Sequence, residues 1–169
     1  MEVLDIYDEK KNCTGKTITR TSESKLGKNE YFLYVQCWIV NSSREILLTQ
    51  RRKNKENGGK WEPTGGCVIS GETSLEGMKR ELNEEIGIDV KKGDLILIKT
   101  IQEKKEARNC FRDIYILKKN IAIRDLKFND GEVVDSKYVT INEFEEMIQQ
   151  ERINHWLNFF IEEYHKLYM

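Results

Sequence analysis

Residues 73–87, TSLEGMKRELNEEIG, specify a helix together with both of its ends. Thr73 followed three residues later by Glu76 is a capping box, in which hydroxyl and carboxylate each satisfy a backbone N–H left over at a helix start. Gly87 can take the left-handed conformation that closes a helix. Between them Leu75, Met78, Leu82 and Ile86 recur at steps of three and four, so the spacing predicts a helix over 74–86 with one apolar stripe against a core. Glu81, Glu84 and Glu85 fall within an arc of roughly 100° beside that stripe. Their position is unfavourable twice over. The negative end of a helix dipole disfavours anions by roughly 0.3–1 kcal/mol each, and like charges at i,i+3 and i,i+4 cost about 0.2–0.5 kcal/mol per pair. Arg80 is the cation placed to offset them. Either the three carboxylates form a solvated acidic face, or they are an oxygen-rich nest for a hard divalent cation, Mg²⁺ or Mn²⁺.

Strand patterns surround this helix. Val3 to Tyr7 is a short strand; the turn-rich DEKKNCTGK leads to a return strand at Thr17, Ile18 and Thr19, making a hairpin. The aromatic and β-branched run YFLYVQCWIV, residues 31–40, suits a buried central strand, and ILLTQR, residues 46–51, follows it. Beyond the helix, DLILIKTIQEK and CFRDIYILKK read as a second hairpin and VVDSKYVT as a later strand. Thr140 and Glu143 form another capping box, starting a helix at Ile141. Ile153, Trp156, Leu157, Phe160, Ile161, Tyr164 and Leu167 predict an amphipathic helix to the end of the sequence. Its stripe could serve a homodimer, although covering a sheet is the commoner use of such a face. The order of elements indicates an α/β fold, a mixed sheet with helices packed on it.

A chain of 169 residues suits a single domain, 1–169, and no linker or repeat divides it. Its 28 Lys and Arg against 29 Asp and Glu argue against stable, non-specific binding to nucleic acid. No apolar run approaches the roughly 20 residues that span a bilayer, and the opening MEVLDIYDEKKNC lacks the parts of a signal peptide, so a cytoplasmic protein without membrane attachment is expected. Cys13, Cys37, Cys67 and Cys110 show no C-x-x-C spacing and read as free thiols.

The stretch before the helix completes a longer pattern. Gly66, Glu72, Arg80, Glu81, Leu82, Glu84, Glu85, Gly87 and Ile88 read G-x5-E-x7-R-E-U-x-E-E-x-G-U, with U aliphatic. A chance match in a chain of this length is on the order of one in a million from ordinary residue frequencies. Residues 66–88 resemble the Nudix box. The preceding ILLTQRR…GGKWEPTGG and the later GEVVDSKYVTINEFEEM also resemble that family, and residues 1–28 resemble the hairpin extension of relatives close to isopentenyl-diphosphate isomerases. The resemblance implies the Nudix fold, an α/β/α sandwich around a mixed sheet with an N-terminal hairpin extension and C-terminal helices over 141–169. It implies metal-dependent hydrolysis of a diphosphate bond in a nucleoside di- or triphosphate, or in a nucleoside diphosphate linked to another group.

In that scheme Glu81, Glu84 and Glu85 hold Mg²⁺ or Mn²⁺, and either Glu81 or Glu84 is the base. Gly66 offers a carbonyl unobstructed by a side chain, while Arg80 and Glu72 form an ion pair bracing loop against helix. A further carboxylate is expected from a later loop, with Glu132 the first candidate and Glu103 and Glu106 behind it. Arg51, Arg52, Lys53 and Lys60 could steer phosphates or simply be solvated. A base could stack on Trp61, whose place beside Pro63 also fits packing. Two other readings remain: an isomerase of isopentenyl diphosphate using Cys67, and a Nudix domain that senses a nucleotide without turning it over. Against the isomerase, the box is intact, and both histidines, His155 and His165, lie near the C-terminus.

Overall fold

A computed structural model describes residues 1–21, 23–105 and 108–168. They gather into two compact units, one of Met1–Cys37, Gly65–Asn83 and Asp89–Leu117, the other of Trp38–Thr64, Glu84–Ile88 and the chain from Lys118 onward. The elements are those expected of the α/β class: strands of a mixed sheet, α-helices, and an N-terminal hairpin with its own pairing. Among the described residues no helix is long and apolar enough to cross a membrane.

In the first unit, β1 (Val3–Tyr7) pairs antiparallel with β2 (Cys13–Thr19), setting Leu4 opposite Ile18. The return strand is longer than Thr17–Thr19, and its register against β1 shifts between Asp5 and Tyr7, where Gly15 on β2 takes a φ of 78°. Tyr7 and Tyr31 exchange backbone hydrogen bonds of 2.7 and 2.9 Å, tying the hairpin to the start of β3 (Phe32–Val40). The first part of β3 lies between β8 (Cys110–Lys118) and the short β6 (Thr64–Cys67), with β7 (Leu95–Glu103) outside β8. Every residue of β8 except Lys118 is buried, the signature of a strand covered on both faces. Helix α1 (Ser74–Ile86) starts and stops where the sequence marks it. Thr73 N and Oγ1 donate to Glu76 Oε2 at 2.8 and 2.7 Å, and Gly87 turns the chain at φ 70°. Met78, Leu82 and Ile86 of its stripe are fully buried.

In the second unit, β4 (Ile46–Arg51) pairs with the end of β3, with the two-residue β5 (Trp61–Glu62) and, along its whole length, with β9 (Val133–Val139). Helix α2 (Ile141–Gln149) buries Phe144, Met147 and Ile148, and α3 (Phe159–Tyr168) buries Phe160 and Tyr164. The Trp38 ring stacks on Phe160 at 3.6 Å between centroids and meets Phe144 edge-on at 5.4 Å. The box at Thr140 is formed in both directions. Thr140→Ala is expected to cost about 1 kcal/mol, seen as a lower urea midpoint at unchanged slope.

The C-terminal segment is not one helix. Glu151 has a positive φ of 57°, Ile153 pairs with Trp61, and residues 155–158 form a separate 3₁₀ turn before α3 begins. The hydrogen bond from Trp61 N to Arg152 O, 2.9 Å, needs an extended chain there, and that pairing outweighs the helical period. Trp156, read as part of the apolar stripe, is left 38% exposed. The strands β5 and β6 are too short to show alternation, and Gly and Pro interrupt the region around them.

Candidate functional site

Two groups of side chains are the candidates for the chemistry, one in each unit. In the first, α1 projects Arg80 toward the loop that precedes it. Arg80 Nε donates to Glu72 Oε1 at 2.9 Å, Nη2 to Glu72 Oε2 at 3.2 Å and to the Cys67 carbonyl at 2.8 Å, and Nη1 to Glu81 Oε1 at 2.8 Å. One guanidinium thus holds two carboxylates and the backbone beside Gly66, which a lysine could not do from a single charge point. Glu72 Oε2 also accepts from Ile69 N at 3.2 Å, closing the loop on itself. Glu81 is 8% exposed. A Cβ at Gly66 would overlap its carboxylate, so glycine here answers a close approach rather than a turn. Gly66→Ala must displace Glu81, and an overpacking cost of about 1–3 kcal/mol is expected, read as a lowered Tm together with reduced turnover.

Cys67 is buried, and burial pushes its thiol up to about 11, with Arg20 pulling weakly the other way. It remains protonated at neutral pH.

In the second unit, Glu85, Asp130 and Glu132 each offer a carboxylate oxygen, and these lie within 4.8 Å of one another. Glu85 is buried at the end of α1, where Lys127 N donates to the Ile86 carbonyl at 3.0 Å and brings residues 127–132 alongside. Asp130 Oδ1 accepts from Glu132 N at 2.8 Å, and Arg52 N donates to the Glu132 carbonyl at 2.8 Å. Lys55, at 2.7 Å from Glu132 Oε1, and Arg51, at 3.9 Å from Oε2, offset the crowding of negative charge. The donor set is all oxygen, which suits Mg²⁺ or Mn²⁺ and not a soft metal.

The sequence reading named Glu85 and Glu132 but missed Asp130. The signal was the Asp130–Gly131 turn in NDGE, whose aspartate bonds its own backbone two residues on. Glu84 is exposed, apart from the buried pair Glu81 and Glu85. Arg51 pairs chiefly with Glu62 at 2.7 Å and bonds the Glu56 carbonyl at 3.0 Å. Trp61 is 6% exposed, with the Lys137 ammonium 4.6 Å from its ring centroid. Glu103 belongs to a different pair. Burial would raise its carboxyl, but Arg112 at 2.8 Å and Lys105 at 2.9 Å hold it below the usual range. Glu106 lies outside the described residues.

The NUDIX domain family model matches residues 30–159. An uncharacterized Nudix hydrolase of Listeria monocytogenes, lmo0368, is 31% identical over 147 residues, covering 86% of this chain and 83% of that protein. Among solved structures, DR0079 from Deinococcus radiodurans superposes with a TM-score of 0.73 at 21% identity, covering 88% of this chain and 90% of the other. A MutT protein from Methanosarcina mazei gives 0.66 at 26% identity over 80% and 94%.

Proposed function

This chain belongs to the Nudix family, with that family's fold and its character as a hydrolase of phosphorus acid anhydrides, and we propose that it cleaves the diphosphate bond of a nucleoside di- or triphosphate, or of a nucleoside diphosphate joined to another group, using Mg²⁺ or Mn²⁺. The observation that carries the metal requirement is the close approach of Glu85, Asp130 and Glu132 at the end of the helix bearing R-E-U-x-E-E. Carboxylates crowded in this way favour a divalent cation over water alone.

Glu81, Glu84 and Glu85 would hold the ion or ions, and Asp130 and Glu132 would add carboxylate oxygens beside Glu85. When bound, such an ion offsets the charge of the diphosphate, polarises phosphorus and acidifies a water for in-line attack. The protein's own residues do the rest. Arg80 fixes the Glu81 carboxylate, Glu72 anchors Arg80 to the loop, and Gly66 leaves room for the Glu81 carboxylate. Glu81 or Glu84 accepts the proton. Arg51 and Arg52, on the strand end beside Glu132, meet the phosphates, and Trp61 shapes the wall near them. Residues 1–169 act as one catalytic domain.

The test is release of phosphate and pyrophosphate, with Mg²⁺ or Mn²⁺, across nucleoside di- and triphosphates, nucleotide sugars and dinucleotides. A metal-dependent hit with identified products establishes the class. Binding without turnover across the panel would make the domain a sensor. Isomerisation of isopentenyl diphosphate through Cys67 is disfavoured by the intact box and by the placement of both histidines, His155 and His165, near the C-terminus. Cys67→Ala is expected to keep hydrolysis within about threefold of wild type; a loss of about a hundredfold without unfolding would return weight to a cysteine mechanism.

A further inference from the structure

The hairpin of residues 1–28 precedes the span matched by the family model, yet it is bonded to the loop that opens the box and, through Asp113, tied to the first turn of α1. Asp5, in β1, receives two hydrogen bonds from the loop between Gly66 and α1: Ser70 Oγ donates to Oδ1 at 2.6 Å and Gly71 N to Oδ2 at 3.0 Å. Ser70 N donates to the Val3 carbonyl at 2.7 Å. Gly71 sits at φ 87°, and Glu72, the next residue, is the one that anchors Arg80. The loop is therefore held from one side by Arg80 through Glu72 and from the other by Asp5. A second tie follows from Lys11, at the hairpin turn. It pairs with Asp113 at 2.5 Å, and Asp113, 1% exposed, accepts from Ser74 Oγ at 2.6 Å in the first turn of α1.

We infer that Asp5 is a positioning residue of the hydrolytic site, setting the place of Glu72, and through it of Arg80 and Glu81, by fixing the backbone at Ser70 and Gly71. The inference rests on the hydrolase reading above. A carboxylate accepts from both donors with its full charge. The isosteric amide of asparagine keeps one acceptor for Gly71 N and turns its N–H₂ group to Ser70 Oγ, which must then accept, so two charge-assisted hydrogen bonds become weaker, neutral ones. The substitution therefore loosens the loop without changing the volume of the hairpin.

The experiment uses the full chain, the Asp5→Asn variant, and Lys16→Gln as a control elsewhere in the hairpin. Lys16, itself exposed, pairs at 3.1 Å with the half-buried Glu30. Three quantities are read: amide exchange across residues 66–72, Mn²⁺ affinity by calorimetry, and kcat and KM on whichever nucleotide the panel turns over fastest. For Asp5→Asn the Gly71 amide is expected to exchange about tenfold faster. Mn²⁺ is expected to bind about five- to tenfold more weakly, with kcat reduced by a similar factor. KM should stay within about twofold, because the substrate's own contacts are intact. Lys16→Gln should match wild type throughout. Wild-type Mn²⁺ affinity and kcat in Asp5→Asn would overturn the role of Asp5 while leaving the hydrolase reading in place. Equal losses in both variants would make the hairpin a structural support without a positioning role. A wild-type chain that neither binds Mn²⁺ nor hydrolyses any nucleotide would remove the hydrolase reading, and this role with it.

Discussion

Glu85→Gln is expected to lower metal-dependent turnover by roughly 10²–10⁴-fold without a loss of stability. The first half follows from the donor set. Charge stabilisation by a bound divalent ion is worth several kcal/mol, and each 1.36 kcal/mol is a factor of ten in rate. Removing one of the carboxylates within 4.8 Å of one another would take away a proposed ligand and a unit of the charge that would attract a cation. The second half follows from the same crowding. Two like charges about 4 Å apart repel by roughly 4 kcal/mol at an effective dielectric of 20. Lys55 and Arg51 cancel much of this, so a gain of about 1 kcal/mol or less is expected in the absence of metal. Added Mg²⁺ should then raise the Tm of wild type by more than that of the variant, since a ligand stabilises by how tightly it binds. Turnover within a few-fold of wild type, with an unchanged response to Mg²⁺, would remove Glu85 from the site.

The difference between what the sequence foretold and what it did not has a physical basis. Residues 73–87 were readable to the residue because each constraint is local: a cap, a stripe and a stop within four turns. The same holds for Thr140 and Glu143. The Arg80–Glu72 pair was readable from the motif, since a loop of fixed length returns the glutamate to the helix. Non-local pairing decided the rest. Nothing near Ile153 announces that it will pair with Trp61, some ninety positions earlier in the chain, and helical periodicity gives way there. Asp130 joins Glu85 only because residue 127 docks on the end of α1, a contact no spacing rule reports. Glu81, Glu84 and Glu85 look alike in sequence, but the angle of α1 against its core buries the first and third and leaves the second exposed.

Arg80→Ala should differ from Glu85→Gln in kind, losing stability and activity together. Arg80 is four-fifths buried, and its guanidinium serves Glu72, Glu81 and the Cys67 carbonyl at once. Burying carboxylates after their cation is gone costs about 3–5 kcal/mol for a fully buried pair. Partial exposure of Arg80 and Glu72 places this case near about 3 kcal/mol. For a chain of this size that corresponds to a fall in Tm of roughly 6–12 °C. Activity should fall by at least about tenfold even at temperatures where the variant is folded, because Glu81 loses the group that orients it. Arg80→Lys separates the two effects. A lysine restores the positive charge but cannot reach both carboxylates and the carbonyl in the same geometry. It should recover about half of the lost stability while turnover stays low. If Arg80→Lys instead recovered activity in proportion to stability, Arg80 would act only as a counter-charge, and the orientation of Glu81 would have to come from elsewhere on the helix.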